Sequence, residues 1–201
     1  MSEALCAPNL DHPVDVDAHL QALPDSATTK GMFFTQLLKN LGARASEAEL
    51  DKALVSRPSR YLPFGNYPMH DNIRLTVLVA QKLYPQLSLG RALHAMGRAS
   101  FDAFAESHLG RALLETINPE LGAVLRAGPR IFSTLFNFGH VEFDQMDDRI
   151  MRFTFREMPI FIETFQVGAI EGLARHVRAS VRLQIALQSI SHGTVEIRWQ
   201  T

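Results

Sequence analysis

The side chains best suited to bind a ligand lie close together in residues 57–75, RPSRYLPFGNYPMHDNIRL. Arginine can hold an anion, a tyrosine hydroxyl can donate or accept a hydrogen bond, and histidine exchanges a proton near neutral pH. The sequence therefore predicts a ligand-binding site in this stretch. Its candidate residues are Arg60, Tyr61, Tyr67, His70 and Arg74.

The same stretch also has a structural interpretation, which we favour for most of it. Its prolines interrupt any continuous helix, and Pro68 suits the first turn of the helix that follows. In this interpretation Arg60 and Tyr61 hold the loop against neighbouring helices. Tyr67 would then contribute more to stability than to ligand affinity.

No catalytic motif accompanies these side chains. The chain has no GxGxxG or GxxxxGK[ST] run for phosphate, no HExxH pair for zinc and no GxSxG serine. Its one cysteine, Cys6, cannot form an internal disulfide. No two of the eight histidines are four residues apart, which excludes a two-histidine metal face on a helix. We therefore predict no enzyme activity, no catalytic residue, no cofactor and no bound metal.

A group of acidic and histidine side chains near the N-terminus has two interpretations, a metal site or an acidic flexible segment. Its members are Asp11, His12, Asp15, Asp17 and His19. A metal site needs fixed ligand geometry, and residues 1–24 show no sustained periodicity, so we favour the flexible segment. The predicted organisation is a flexible tail over residues 1–24 and a single α+β domain over residues 25–201.

Composition excludes several classes of protein. With 201 residues and 46% hydrophobic side chains, the chain suits one globular domain. A net charge of −1 at pH 7 provides no field that attracts nucleic acid. No apolar run reaches the roughly 18 residues that span a bilayer, and the N-terminus does not resemble a signal peptide. We expect a cytoplasmic protein with no nucleic-acid partner and no membrane span.

Helical periodicity dominates from Thr28 to about residue 138. A first helix is predicted from Thr28, with a threonine as its cap, and Ser46 with Glu49 forms the capping box of the next. The helix after Pro68 is apolar on most sides and should be central in the core. Gly128–Pro129 predicts a helix break.

Two glycines mark one helix face. Gly90 and Gly97 are seven residues apart, so they lie on nearly the same side of a predicted helix. They allow either close packing of another helix, which we favour, or room for a ligand.

After Gly139 the periodicity changes from helical to alternating. Apolar and polar residues alternate in HVEFDQMDDRIMRFTFRE and again from Val181 to Gln200, with a helical segment between the two. Each alternating segment predicts a hairpin whose apolar face is covered. The fold class is therefore α+β, in which the helical N-terminal two-thirds packs on a four-stranded antiparallel sheet with a strand–strand–helix–strand–strand C-terminal unit.

Four arginines are predicted on the polar face of that sheet. They are Arg152, Arg156, Arg182 and Arg198. Acidic residues share this face, so cross-strand ion pairs are the favoured explanation. A surface that recognises an anionic partner is the alternative.

Five stretches together resemble a known family over residues 24–200. They are TTKGMFF, RPSRYLPFGNYPMHDNIRL, HAMGRASFDAFAESHLGRALL, FNFGHVEF and VEIRW. The family is a domain of unknown function with many paralogues in myxobacteria, and it implies no activity for this chain.

More distantly, the order of elements is similar to a ligand-binding fold shared by haem-nitric-oxide-binding domains, four-vinyl-reductase domains and Bet-type subunits of Golgi transport particles. The resemblance implies an apolar pocket between helices and sheet, and dimerisation through helices. The segments 32–41 and 131–138 are candidates to line either the pocket or the dimer interface. Haem sensors of this class carry a Tyr-x-Ser-x-Arg signature for the haem propionates, which this chain lacks. The acylated cysteine of the transport-particle subunits has no counterpart in it either.

The resulting hypothesis is a non-enzymatic signalling or adaptor module that binds a small apolar ligand or a protein partner and forms a homodimer. One alternative is a haem or tetrapyrrole sensor of gas or redox state, with His70, His94, His108 or His140 as axial ligand. The other alternative is an enzyme whose site has no recognisable motif.

Overall fold

The predicted α+β class is confirmed by the computed structural model, which describes residues 4–115 and 120–200. Helices occupy the N-terminal part and a four-stranded antiparallel sheet the C-terminal part. The helices are α1 (Val16–Gln21), α2 (Gly31–Leu41), α3 (Glu47–Ala53), α4 (Met69–Leu83), α5 (Leu89–Glu106), α6 (His108–Leu114), α7 (Leu121–Leu135) and α8 (Val167–His176). No helix in the described part of the chain has the length and hydropathy to cross a membrane.

The strands form two sheets. They are β1 (Thr28–Lys30), β2 (Asn66–Pro68), β3 (His140–Asp147), β4 (Ile150–Arg156), β5 (Ser180–Ser189) and β6 (His192–Gln200). The large sheet has the order β3-β4-β6-β5 with every neighbour antiparallel, and β1 pairs with β2 in the small one. The predicted strand–strand–helix–strand–strand unit is therefore confirmed.

The alternating pattern of the large sheet separates a buried face from a polar face. Phe153 pairs with Val195 and Met151 with Ile197, and all four side chains are buried. Because successive side chains of a strand point to opposite faces, the intervening polar residues lie on the other side. The helices cover the apolar face, and the core of the protein lies there.

The first predicted helix starts later than its threonines suggested. Thr28–Lys30 forms β1, in which Thr29 is buried and pairs with Tyr67, and α2 begins at Gly31 without a side-chain cap. The β-branched threonines suit a strand. Their partner strand lies almost 40 residues further along the chain, so a local pattern could not reveal it.

The predicted break at Gly128–Pro129 is wrong, because α7 continues through Pro129. A proline inside a helix costs about 3 kcal/mol. Burial of each large aliphatic side chain contributes about 1.5–3 kcal/mol, and α7 buries Val124 and Leu125 before the proline and Leu135 after it. Packing on both sides therefore outweighs the lost hydrogen bond.

Glycines bring α5 and α8 into close contact. A methyl group at Gly97 would collide with the carbonyl oxygen of Phe165, and one at Gly168 would collide with that of His94. Close helix packing, the favoured interpretation of Gly97, is thus confirmed. Gly90 instead lies against the backbone of Leu10, in the N-terminal segment.

Residues 6–19, within the predicted flexible tail, contact the domain at several points. Cys6 pairs with Ile185 through two backbone hydrogen bonds of 2.9 and 2.7 Å, which adds a bridge at the β5 edge. Asp11 accepts hydrogen bonds from Arg91 at 2.6 and 2.7 Å, and His19 is buried. The domain boundary between residues 24 and 25 stays a prediction.

The acidic and histidine side chains of this segment serve separate purposes. The Asp15 side chain caps α1 by accepting a hydrogen bond from Ala18 N. The Nδ1 atom of His12 lies 3.7 Å from Oε2 of Glu163. Among the residues that the structure describes, no three histidine, cysteine or acidic side chains are placed to hold a metal ion.

Candidate functional site

A cavity of about 540 Å³ lies between the helices and the sheet. Its walls come from α2, α4, α5, α7, α8, strand β4 and residues 160–166. Protein interiors contain few voids larger than a water molecule, whereas ligand sites measure about 300–1,000 Å³. Asn40 and Ala99 belong to the lining and are exposed, so they mark an opening to solvent. The cavity can therefore receive a small molecule.

Phenylalanine is the commonest residue in the lining. Nine phenylalanines contribute to it, namely Phe33, Phe101, Phe104, Phe132, Phe136, Phe153, Phe155, Phe161 and Phe165. Three methionines, Met32, Met69 and Met96, join them. Among the described residues, the lining contains no aspartate, glutamate, lysine, arginine or histidine. Such a surface favours an apolar, uncharged molecule.

Most of the polar groups in the lining already have partners inside the protein. Gln36 donates to Asn40 at 2.9 Å, and Ser100 donates to the carbonyl oxygen of Gly97 at 2.7 Å. The amide of Gln166 donates to the carbonyl oxygen of Ile160 at 3.3 Å. These groups are satisfied without a ligand.

The amide of Asn72 is an exception. It lies in the first half of α4, is only 8% exposed and lines the cavity. In the described part of the chain, its Nδ2 atom has no hydrogen-bond partner. A buried polar group left unpaired costs about 1–3 kcal/mol. The Nδ2 atom is itself buried, so this unpaired donor lies beneath the cavity surface and is not exposed to the open space.

The backbone changes conformation at the cavity wall around Phe161. Phe161 adopts a left-handed conformation with φ of 58°, and residues Ile162–Gln166 form one turn of π-helix before α8. Non-glycine residues rarely adopt this conformation, and both it and π-helical turns cluster at functional sites. This irregular turn places Phe161, Phe165 and Gln166 in the lining.

His19 supports the same turn from the N-terminal segment. Its ring centroid lies 4.4 Å from that of Phe161, and its Nδ1 lies 3.1 Å from the carbonyl oxygen of Pro159. Burial lowers the pKa of His19 below 6.5, although the Pro159 carbonyl and Asp15 act in the opposite direction. A neutral imidazole therefore packs behind the cavity wall.

Two of the predicted site residues, Tyr61 and Tyr67, belong to a packed aromatic cluster with Phe34. Tyr61 stacks on Phe34 at 4.7 Å between centroids and meets Tyr67 edge-on at 4.8 Å. The Tyr67 hydroxyl accepts a hydrogen bond of 2.9 Å from Leu62 N. Burial raises the pKa of Tyr61 above 10, with Asp71 adding to the effect. This aromatic cluster fastens the loop to α2, as the structural interpretation predicted for Tyr61. The same role for Arg60 stays a prediction.

Of the other three predicted residues, His70 and Arg74 belong to the first half of α4, and Arg60 lies in the loop that precedes it. Arg60 is exposed and His70 is half-buried. Arg74 donates to the buried carboxylate of Asp71 at 3.2 Å, in an i,i+3 ion pair. That pair stabilises the helix start.

None of the five predicted residues lines the cavity, although α4 connects the two regions. Met69, Asn72, Ile73 and Thr76 come from the same helix and do line it. A role of the five in binding stays a prediction. The signal that could have located the site was an asparagine within a helix that is otherwise apolar on most sides.

The four histidines considered as haem ligands also lie outside the lining. His94 Nε2 is 3.3 Å from Glu171, and its hydrogen bond lowers the pKa of that carboxyl. The Nε2 atom of His140 lies 3.4 Å from Oε1 of Glu142, and Nδ1 of His108 lies 3.4 Å from Nη2 of Arg111.

On the polar face of the large sheet, ion pairs account for three of the predicted arginines, two of them across strands and the third within β6. Arg152 and Arg198 donate to Glu196 at 2.7 and 2.8 Å, and Arg156 donates to Glu142 at 3.1 Å. Glu196 is only 1% exposed. Burial opposes its charge, but the two arginines hold its pKa below 4.5. Arg152 and Arg198 therefore neutralise a buried carboxylate, and the pairs of Arg152 and Arg156 are the cross-strand pairs of the favoured interpretation.

Comparison with known proteins assigns the chain to a family. A family model described as "Protein of unknown function (DUF2378)" matches residues 23–200. The chain belongs to this family. The assignment confirms the resemblance noted over residues 24–200. Among curated proteins, the comparison finds no relative.

Solved structures of H-NOX proteins share the fold. An H-NOX protein from S. oneidensis in the Fe(II)NO ligation state is 15% identical with a TM-score of 0.65, over 86% of this chain and 99% of that one. The unliganded Fe(II) H-NOX protein from K. algicida is 14% identical with a TM-score of 0.60, over 86% and 97%. An oxygen-binding H-NOX domain related to soluble guanylate cyclases is 12% identical with a TM-score of 0.64, over 85% and 93%. Identities this low show a common fold alone.

The cavity residues do not fit a histidine-ligated haem group. Haem iron in proteins is held by histidine, cysteine, methionine or tyrosine, and usually by histidine. The described lining provides neither imidazole nor thiolate, and it has no basic side chain that could pair with two propionates. The DUF2378 chain therefore shares the H-NOX fold, whereas the described lining of its cavity lacks the side chains that a histidine-ligated haem requires.

Proposed function

We propose that this DUF2378 chain is a cytoplasmic, non-enzymatic sensor or adaptor domain that binds a small apolar molecule. The observation that carries the proposal is the cavity of about 540 Å³, whose described lining is aromatic and aliphatic and carries no charged side chain. Close packing is the normal state of a protein core, so an opening of this size in the core points to a ligand. Binding would bury apolar surface at about 25 cal/mol per Å².

Mass spectrometry of the purified protein tests this proposal directly. Native spectra should show the chain with an added mass, and denaturing spectra should show the chain alone and release a small apolar compound. If the protein carries no such mass, addition of Nile red should produce a saturable fluorescence increase. A protein that neither carries a compound nor takes up the dye would contradict the proposal.

A haem sensor is the alternative that the H-NOX fold favours. The absence of histidine and of basic side chains from the described lining argues against it. Titration with haem should therefore give no sharp Soret band beyond that of free haem. A stoichiometric band that is lost on histidine substitution would instead support the sensor alternative.

The adaptor role requires a protein partner, and we propose a second copy of the chain, as the resemblance implies. Light scattering on the purified protein measures its mass in solution. A mass of two chains supports the homodimer, and a mass of one chain across the micromolar range overturns it.

A further inference from the structure

The polar face of the large sheet carries more positive charge than its own ion pairs neutralise. We propose that Arg152, Arg182 and Arg198 bind a phosphate group carried by a partner protein, such as a phosphoserine or a phosphothreonine. This face lies on the opposite side of the sheet from the cavity, whose lining includes the buried Phe153 and Phe155. The phosphate site is therefore independent of the apolar ligand proposed above.

Two of the arginines stand directly opposite each other on neighbouring strands. Arg182 of β5 pairs with Arg198 of β6, and both are exposed. Directly opposite residues have Cβ atoms about 4.5–5.5 Å apart, and like charges in such positions destabilise a sheet. The Arg182 side chain has no hydrogen-bond or ion-pair partner in the part of the chain that the structure describes. An anion held between the two guanidinium groups would remove this repulsion.

A buried carboxylate fixes the other two arginines without using all of their donors. Glu196 is 1% exposed, and its Oε1 accepts from Arg198 Nε at 2.8 Å while its Oε2 accepts from Arg152 Nε at 2.7 Å. Each guanidinium group has five N–H donors. The side chains of Arg198 and Arg152 remain 51% and 38% exposed. Donors that Glu196 does not use are therefore available to a ligand.

The local charge matches a phosphate group. The three arginines contribute three positive charges and Glu196 one negative charge, so a charge of +2 is left. Asp144 pairs with Arg152 in the sheet register, but its strand β3 lies three strand positions from β5 and Arg182. A phosphoserine carries a charge of about −1.5 to −2 at pH 7, and guanidinium groups bind phosphate with paired hydrogen bonds. A carboxylate would neutralise only half of the charge.

The shape of this face favours a group that another protein presents. Sites for small molecules are concave, whereas Arg182 and Arg198 stand on an exposed face of a sheet. The net charge of the whole chain is −1 at pH 7, so no wider positive field attracts a polyanion such as nucleic acid. A phosphorylated side chain brings one concentrated charge to one place. It is therefore the ligand that this small cationic site can hold.

Peptide titrations followed by NMR test the proposal. The probe is the acetylated and amidated pentapeptide Gly-Gly-phosphoserine-Gly-Gly, and its controls carry serine or glutamate in the centre. At low ionic strength the phosphopeptide should bind with a Kd of about 1 mM and shift backbone amide signals of β5 and β6. The serine peptide should not bind, and the glutamate peptide should bind about fivefold more weakly because its side chain carries a single charge.

Three outcomes of these titrations would overturn the proposal or a part of it. Unshifted β5 and β6 signals at about 10 mM phosphopeptide would show that the face does not bind phosphate. Equal affinity for the glutamate peptide would overturn the assignment to phosphate. Inorganic phosphate that binds tenfold more tightly than the phosphopeptide would overturn the assignment to a partner protein.

The Arg182→Gln variant assigns binding to the opposed pair. It should weaken phosphopeptide binding about tenfold, because it removes one of the two facing guanidinium groups. The matched control is Arg178→Gln, which removes the same charge from an exposed residue that precedes β5. This control should change the affinity by less than about twofold. Equal weakening in both variants would indicate a general effect of charge and overturn the site.

Unfolding in phosphate-free buffer gives a second readout. Arg182→Gln should raise the urea midpoint at low salt, because it removes the like charge opposite Arg198. The difference from the wild type should disappear at high salt, where exposed charges are screened. A midpoint that falls in Arg182→Gln at low salt would show that the protein itself satisfies Arg182, which contradicts the proposal.

Discussion

The aromatic cluster beneath the loop and the cavity behind α4 use similar side chains with opposite results. In the cluster, Phe34, Tyr61 and Tyr67 fill the space between one another, with centroid distances of 4.7 to 5.8 Å. In the cavity, nine phenylalanines surround about 540 Å³ of open space. Aromatic content alone therefore does not distinguish a packed core from a binding site.

The difference lies in what each aromatic ring faces. Tyr67 contacts Gly31, where an added methyl group would collide with its ring, and its hydroxyl accepts from Leu62 N. The cluster is therefore closed by backbone on one side and by rings on the other. On the cavity side, small residues such as Ala103 and Ala169 stand where larger ones would fill the space.

The largest effect is expected from truncation within the aromatic cluster. Tyr67→Ala removes ring contacts with two neighbours and should lower the free energy of unfolding by about 3 kcal/mol. Urea unfolding measures this loss. Affinity for an apolar probe should change by less than about twofold, because Tyr67 is not part of the cavity lining.

Tyr67→Phe is the matched control for this prediction. It keeps the ring and removes only the acceptor of Leu62 N, so the loss should be about 1 kcal/mol. If Tyr67→Ala lost probe binding while its unfolding stayed unchanged, the loop would form part of the binding site. That result would support the first interpretation of residues 57–75.

A substitution that fills the cavity should have the opposite effect to Tyr67→Ala. It should weaken probe binding and leave the fold intact. Ala103→Trp places an indole in the cavity and should weaken probe binding by about 100-fold, or about 2.8 kcal/mol. The fold should be retained, because the indole enters existing space. Fluorescence titration with Nile red measures the affinity.

Ala105→Trp provides the control on the same helix. Ala105 is half-buried like Ala103 but does not belong to the lining. This variant should bind the probe within about threefold of the wild type. Equal loss of binding in both variants would indicate that α5 was distorted, and undiminished binding in Ala103→Trp would place the binding site elsewhere.

The smallest effect concerns pH and the turn behind the cavity wall. Burial holds the pKa of His19 below 6.5, so the unfolded chain takes up the proton first as pH falls. The stability contributed by neutral His19 is therefore complete above pH 6.5 and decreases as pH falls below that value. Urea midpoints measured from about pH 7.5 to about pH 5.5 should show this decrease.

His19→Gln should reduce that pH dependence, and His12→Gln controls for the loss of an imidazole at an exposed position. If protonation weakens the packing of His19 on Phe161, probe affinity should fall over the same pH interval. A wild-type pH dependence that persists in His19→Gln would contradict the assignment.

Elements with local signals were predictable from the sequence. The capping box of Ser46 and Glu49 is present, and α4 is central in the core with buried Ile73, Leu75 and Val79. The two hairpins followed from alternation, since a period of two is enough to assign the buried face of a strand. The small sheet was missed because its pairing is between distant segments.

The candidate site was less predictable. The side chains of residues 57–75 are chemically versatile, which favoured a binding site there, yet their contacts are mostly structural. Asn72 lies in a helix whose middle is apolar on most sides, so its sequence pattern indicated core packing. Whether its amide has a partner depends on side chains from several other elements, and no local pattern records that.

By itself, the sequence determined the fold class, the covered face of the sheet and the absence of familiar catalytic motifs. Periodicity and residue type are local properties, so they can be read along the chain. Only the tertiary structure decided where the aromatic side chains close against one another and where they leave a cavity. That outcome depends on the volumes that converge from distant segments, because packing is a property of the assembled core.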